Sequence, residues 1–195
     1  MRLLHDHGAL VFFGDISTSH GAALASELPG AEFHRVDMAE YSDLVSLFET
    51  AFTSTGRIDG AICCAAIGEP PGLFNAETLT REGLLLERKD DEGGEKKVAR
   101  VIEVNLTGVV QFSRVALGYI NTTTSLAKQQ QRQQKGGEVV VEEEKEKEGF
   151  TPSITLVSSI AGITPAPGLF TCMCFPLPHT HCPIFSPPFL SLSVR

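Results

Sequence analysis

At 195 residues, 42% hydrophobic and 21% charged, the chain has the size and balance of one globular domain able to bury a real core. Its formal net charge is −8 and its basic residues are scattered or mixed with acids, which argues against nucleic acid or an anionic membrane surface as the main partner. The run Ala9-Leu-Val-Phe-Phe13 is too short for a secretory hydrophobic core and nothing approaches the roughly eighteen apolar residues of a membrane span, so a soluble, cytoplasmic protein is expected.

In chain order, residues 3–7 look like the end of a helix closed by Gly8. Residues 9–14 form a continuous apolar run of strand length, as a parallel strand covered on both faces requires. A helix over about residues 20–28 stops at Pro29-Gly30, and a short strand follows over 32–37. Residues 42–52 place Leu44, Leu47, Phe48, Ala51 and Phe52 on one helical face, with Ser42 as the N-cap. Arg57-Ile-Asp59 leads into a buried strand over 60–66, a long helix covers about 98–119, and 154–158 supplies the next strand. Strands alternating with helices at this spacing imply a parallel sheet built of right-handed crossovers.

Three stretches depart from that pattern. Residues 87–97 are charged and contain Gly93-Gly94, which predicts an exposed loop. Residues 121–149 hold the runs Gln129-Gln-Gln-Arg-Gln-Gln and Glu142-Glu-Glu-Lys-Glu-Lys-Glu, the composition of a disordered surface insertion. Residues 172–195 carry Pro176, Pro178, Pro183, Pro187 and Pro188 and read as an irregular tail. Adjacent Cys63 and Cys64 suit packing in an apolar strand. Cys172, Cys174 and Cys182 with His179 and His181 have metal-ligand composition but no known zinc spacing, so no metal site is expected.

The chemistry begins at Asp15, which ends the first readable strand. In a dinucleotide-binding fold a carboxylate there accepts hydrogen bonds from the adenosine ribose hydroxyls and repels a 2′-phosphate, so it favours NAD over NADP. Behind it come Val36-Asp37-Met38, then Asp59-Gly-Ala-Ile-Cys63-Cys64-Ala65-Ala66, then Val104-Asn105-Leu-Thr-Gly108, and finally Val157-Ser-Ser159-Ile-Ala-Gly162. This ordered series resembles the short-chain dehydrogenase/reductase family, over residues 3–171 apart from the two polar stretches.

The resemblance implies an α/β fold, a partial Rossmann-like doubly wound parallel sheet, and hydride transfer between NAD and a secondary alcohol or ketone. It places Asp15 and Ile16 at the adenosine ribose, Asp37 and Met38 at the adenine edge, and Cys64, Ala65 and Ala66 beside the cofactor. Asn105 would bend its helix and hold a water of the proton relay; Ser159 would hydrogen-bond the substrate carbonyl or hydroxyl. The helix over 98–119 lies where the family forms its dimer interface, which implies a homo-oligomer or pairing with a full-length relative.

The departures from the family pattern are specific. Cys63 and Cys64 stand for two asparagines and Ala66 for a glycine. The family's tyrosine, thirteen residues past the serine, falls at Cys172, and its lysine, four further on, at Pro176. The first strand and its Thr-Gly-x-x-x-Gly-x-Gly loop would precede residue 3. Residues 1–171 are therefore expected to be a partial NAD(P)-binding domain, lacking the first strand and the Tyr/Lys helix, with impaired cofactor binding and no activity. Two rival readings stay open: a non-catalytic binding partner, and a tail beyond Thr171 that is translated non-coding sequence.

Overall fold

The computed structural model describes residues 1–68, 79–87, 94–134, 152–158 and 190–194. Strand β1 (Leu10–Asp15) follows helix α1 (Arg2–Asp6) across Gly8, whose φ of 81° is the left-handed geometry a glycine adopts without strain. Both faces of β1 are buried because its side chains alternate between two cores. Ala9, Val11 and Phe13 pack with Met1, Leu4, Leu24 and Phe33 on one side, and Phe12 enters the larger core on the other. Helix α2 (Thr18–Glu27) starts at Ser17, whose hydroxyl accepts from the His20 N–H, and lies over β2 (Glu32–Arg35) so closely that a Cβ on Gly21 would collide with the Phe33 ring.

Helix α3 (Tyr41–Thr55) buries Leu44, Leu47, Phe48 and Ala51, the face expected from their spacing. Its N-cap position is Glu40; Ser42, expected there, lies exposed inside the first turn. Strand β3 (Gly60–Cys63) follows, then α4 (Arg81–Glu87), which the sequence pattern does not announce. The long helix is built in three parts: α5 (Gly94–Ile102), a π-helical turn over Glu103–Gly108, and α6 (Val109–Gln134). Phe112 of α6 meets Phe48 edge-on at 5.4 Å, and the Tyr119 ring stacks on Phe48 at 5.6 Å. Each fully buried large apolar side chain of this kind contributes roughly 1.5–3 kcal/mol of burial free energy.

Two expectations are corrected here. Residues 94–97 open α5 rather than continuing a loop, and residues 121–134 are helical rather than disordered. The threonine run explains the second: Thr122, Thr123 and Thr124 each donate back to the carbonyl four residues earlier, so their hydroxyls stay satisfied inside a helix. Thr123 is buried, and its Oγ1 also accepts from the Ile58 N–H at 2.9 Å, tying α6 to the start of β3. Residues 135–149 lie outside the described residues.

Strand β4 (Ser153–Leu156) pairs parallel with β3, as β2 does with β1. The fifth strand, β5 (Leu190–Val194), comes from the segment expected to be an irregular tail. The sheet order is β2-β1-β5-β3-β4, with β5 antiparallel to both neighbours, so the expected parallel sheet is mixed at its centre. Leu190-Ser-Leu-Ser-Val194 has the apolar/polar alternation of a strand, a signal masked by the proline-rich composition around it. The remaining α/β arrangement is the expected one, with α1 and α2 against β1 and β2 on one face and α3 and α6 on the other. Among the described residues, no helix is long and apolar enough to cross a membrane.

Candidate functional site at the carboxyl edge of the sheet

The carboxyl ends of β1, β2 and β3 bring together most of the residues singled out from the sequence. Asp15, at the end of β1, is half-buried, and its Oδ1 accepts from the Ser17 N–H at 2.7 Å. This turn leads the chain into α2 and leaves Ile16 54% exposed at the edge. The local structure explains the pairing: a carboxylate two residues before an N–H closes an Asx-type turn.

Asp37, just beyond β2, is held far more tightly. Its Oδ1 accepts from the Ala39 N–H at 3.0 Å, and Arg100 of α5 donates to both carboxylate oxygens, at 2.8 and 2.7 Å. Its own N–H donates to Asp43 Oδ2 at 3.0 Å. Burial by itself would raise the Asp37 pKa, but the Ala39 N–H and the Arg100 guanidinium together outweigh it and hold the carboxyl below the usual carboxylate value. Of about four acceptor positions on a carboxylate, three are taken by the Ala39 N–H and the Arg100 guanidinium. Met38 beside it is buried in the larger core.

Asn105 lies in the π-helical turn over Glu103–Gly108, a local departure from the α-helical pattern on either side. Its side chain makes a reciprocal pair with one residue: Oδ1 accepts from the Ile67 N–H, and Nδ2 donates to the Ile67 carbonyl, both at 2.8 Å. Asn105 thus fastens the segment after β3 to the helix. Each end of the amide keeps one further hydrogen-bonding position beyond the Ile67 pair. Gly108 makes the approach feasible: a Cβ there would stand 2.6 Å from the Met38 carbonyl oxygen. The turn carrying Asn105 therefore rests directly on the Asp37–Met38 segment.

Along β3, Cys63 points into the core, where burial pushes its thiol up to about 12, against a smaller opposing pull from the Ala65 N–H. It is a packing residue. Cys64 and Ala65 are half-buried and Ala66 is exposed, so the segment after β3 presents small side chains and main chain to the edge. Ser159, Cys172 and Pro176 lie outside the described residues, as does the Cys/His group of the tail.

Sequence reasoning missed Arg100. A single arginine in a charged, weakly patterned stretch carries no signal by itself; only the fold puts it opposite Asp37. Tyr119 of α6 is fourteen residues beyond Asn105, about 20 Å along a helix. Its hydroxyl donates to Glu49 at 2.6 Å, and burial together with that carboxylate pushes its pKa up to about 12. It is part of the α3–α6 packing.

Comparison with known proteins agrees with this geometry. The enoyl-(acyl carrier protein) reductase family model matches residues 1–129. A short-chain dehydrogenase/reductase of Acremonium egyptiacum is 26% identical over 163 residues, covering 84% of this chain and 43% of that protein. One from Penicillium rubens is 31% identical over 65 residues, 33% of this chain and 23% of that protein. Among solved structures, a 3-ketoacyl-(acyl-carrier-protein) reductase of Brucella melitensis complexed with NADH covers 87% of this chain and 54% of its own, at 21% identity and a TM-score of 0.56. A short-chain dehydrogenase/reductase of Saccharomyces cerevisiae covers 88% and 52%, at 15% identity and a TM-score of 0.60. The chain thus spans about half the length of these solved structures, and less than half of the curated relatives.

Proposed function

This chain belongs to the short-chain dehydrogenase/reductase family of oxidoreductases, with its Rossmann NAD(P)-binding fold, and on that premise we propose that it is an NAD-binding member that does not turn over substrate by itself. The observation that carries the cofactor half is the carboxyl-edge cluster. Asp15 has one oxygen on the Ser17 N–H and offers the other to a ribose hydroxyl, and its charge would oppose a 2′-phosphate. The fourth acceptor position on Asp37 would suit the amino group of adenine, with the exposed Ile16 beside the ring and the main chain at Met38 along its edge. Cys64, Ala65 and Ala66 leave room beside the cofactor. The adenosine half fits the residues present at the ends of β1 and β2.

The ancestral reaction would be hydride transfer between the nicotinamide and a small secondary alcohol or ketone, chemistry that the bound cofactor supplies. Ser159 would orient the substrate oxygen, and the turn held by Asn105 would place the relay. The absence of turnover is supported by Cys172 and Pro176, which stand at the family's tyrosine and lysine positions. A proline has no titratable group, and a thiol without a neighbouring lysine lacks the tuning that a general acid/base needs. Titration of the 195-residue chain with NADH and NADPH, followed by nicotinamide fluorescence, tests the cofactor half. Tighter binding of NADH, with the preference narrowed about tenfold in Asp15→Asn, is the expected result; equal binding of both would remove the role given to Asp15. NAD-dependent oxidation of any secondary alcohol by the same preparation would refute the absence of turnover.

A second reading, pairing with another copy or a full-length relative, is favoured by the outer face of α6. Val110 and Leu117, two turns apart on one side of the helix, are 61% and 52% exposed. If that face is an interface, Leu117→Arg abolishes association seen by light scattering, while a monomeric wild-type chain that ignores an added relative rejects the pairing.

A further inference from the structure

We propose that Arg100 is the positioning residue for base selection, holding the Asp37 carboxylate so that the site takes adenine and rejects a base with a carbonyl oxygen in place of the amino group. The inference rests on the adenosine reading above, which gives Asp37 that amino group, and adds the residue that makes the choice selective. Arg100 belongs to α5, the helix that runs through the π-helical turn into α6. One of its nitrogens, Nη2, makes both contacts, 2.8 Å to Oδ1 and 2.7 Å to Oδ2. A donor so nearly equidistant sits astride the carboxylate, while the Ala39 N–H holds Oδ1 from the main chain at 3.0 Å. The carboxylate cannot turn about its Cβ–Cγ bond without losing one of these bonds.

The surrounding charges keep to other partners. Asp43 of α3 accepts from the Asp37 N–H at 3.0 Å and meets Arg35 Nη1 of β2 at 3.5 Å, and Arg100 Nη1 meets Glu103 at 3.7 Å. The main chain of Asp37 is thus fixed by Asp43, and its side chain by Ala39 and Arg100. An ionised carboxylate only accepts hydrogen bonds. It suits the exocyclic amino group of adenine, and it meets the carbonyl oxygen of hypoxanthine acceptor against acceptor. Selectivity of this kind comes from the groups that the wrong ligand leaves unpaired as much as from the right contact. A carboxylate free to turn would give its oxygens to water and tolerate either base. Discrimination therefore depends on the arginine that holds it, although that arginine acts only through Asp37.

Fluorescence titration of the full chain with NADH and with reduced nicotinamide hypoxanthine dinucleotide tests this. The second compound carries an oxygen in place of the amino group and a proton on the adjacent ring nitrogen. Wild type should favour NADH by about tenfold or more, and Arg100→Met should bring the two Kd values within about threefold of each other. A general loosening of the fold would weaken both dinucleotides alike and leave their ratio unchanged. In Asp37→Asn, whose amide can donate to the oxygen, the ratio should already be low, and adding Arg100→Met should not move it. A wild-type ratio in the folded methionine variant overturns the proposal, as does a shift caused by Arg100→Met that persists in the Asp37→Asn background. A wild-type protein that binds NADH but prefers it by less than about threefold overturns it whether or not any variant folds. No NADH binding by wild type overturns the cofactor reading and this proposal together, which separates the two failures.

Discussion

Arg100→Met should expose how the Asp37 site is held. Methionine keeps an aliphatic stem against α5 while removing the guanidinium that reaches both Asp37 oxygens. Hydrogen bonds to a charged group contribute about 1.5–3 kcal/mol each when buried, but the arginine side chain is 38% exposed against 14% for Asp37, so solvent screens the pair. A loss of about 2 kcal/mol at pH 7 is expected, with little added by the 3.7 Å contact to Glu103, a surface i,i+3 pair. The pH dependence has a definite sign. Asp37 has a folded pKa below its ordinary value of 3.8, so the stabilisation is complete above about pH 3.8 and is lost as pH falls through the folded value. In the variant the Ala39 N–H and Arg35 remain but both Arg100 contributions are lost, so the carboxyl is held down less strongly. Urea denaturation of both proteins from pH 7 to pH 3 should therefore show a stability gap that narrows as Asp37 is protonated. A gap under about 0.5 kcal/mol at pH 7, or one that does not change with pH, would refute the assignment of Arg100 as the charge partner that sets this carboxylate.

Three further outcomes follow from local geometry. Gly108→Ala should cost about 2 kcal/mol or more, because its Cβ meets the Met38 main-chain oxygen, whereas Gly118→Ala, with nothing within 4 Å, should stabilise α6 by about 0.5–1 kcal/mol; similar effects from both would deny the close approach. Asn105→Ala should cost about 1 kcal/mol and speed exchange at the Ile67 amide, and unchanged protection at Ile67 would show that the reciprocal pair does not persist in solution. Cys63 should resist alkylation at pH 8 except through global unfolding, since burial pushes its pKa up to about 12 and keeps the thiol protonated and covered, and its contribution to stability should be lost as pH rises from about 9 toward about 12, where the unfolded thiol ionises and the folded one does not; labelling of the native protein at the rate of a simple thiol would contradict its burial.

Much of this architecture was legible because it depends on local pattern. The continuous apolar run around Phe12 and the spacing of Leu44, Leu47, Phe48 and Ala51 each specify an element and what it buries without reference to the rest of the chain. The positions of Asp15, Asp37 and Asn105 at the carboxyl edge follow from strand ends and motif order. What could not be read were the long-range partners. Nothing near Asp37 in sequence names Arg100, 63 residues away, and nothing near Asn105 names the Ile67 main chain, 38 residues away. Thr123 looks like low complexity until the Ile58 N–H is placed beside it. The alternation of Leu190–Val194 was visible in principle, but a five-residue pattern says nothing of which slot it will fill.

The distribution of core packing shows what fixes the ends of β1, β2 and β3 relative to one another. On the α3–α6 face, one continuous core joins Phe12 of β1 to Ala61 and Cys63 of β3 through Phe48 and Phe112, while Val36 and Met38 extend it beyond β2. The Asn105–Ile67 pair and the close seat of Gly108 on Met38 add a second tie at the carboxyl edge. Asp15, Asp37 and Asn105 are therefore spaced by helix-to-sheet packing as well as by strand pairing, and a substitution that loosens the helical layer should disturb the candidate site from a distance.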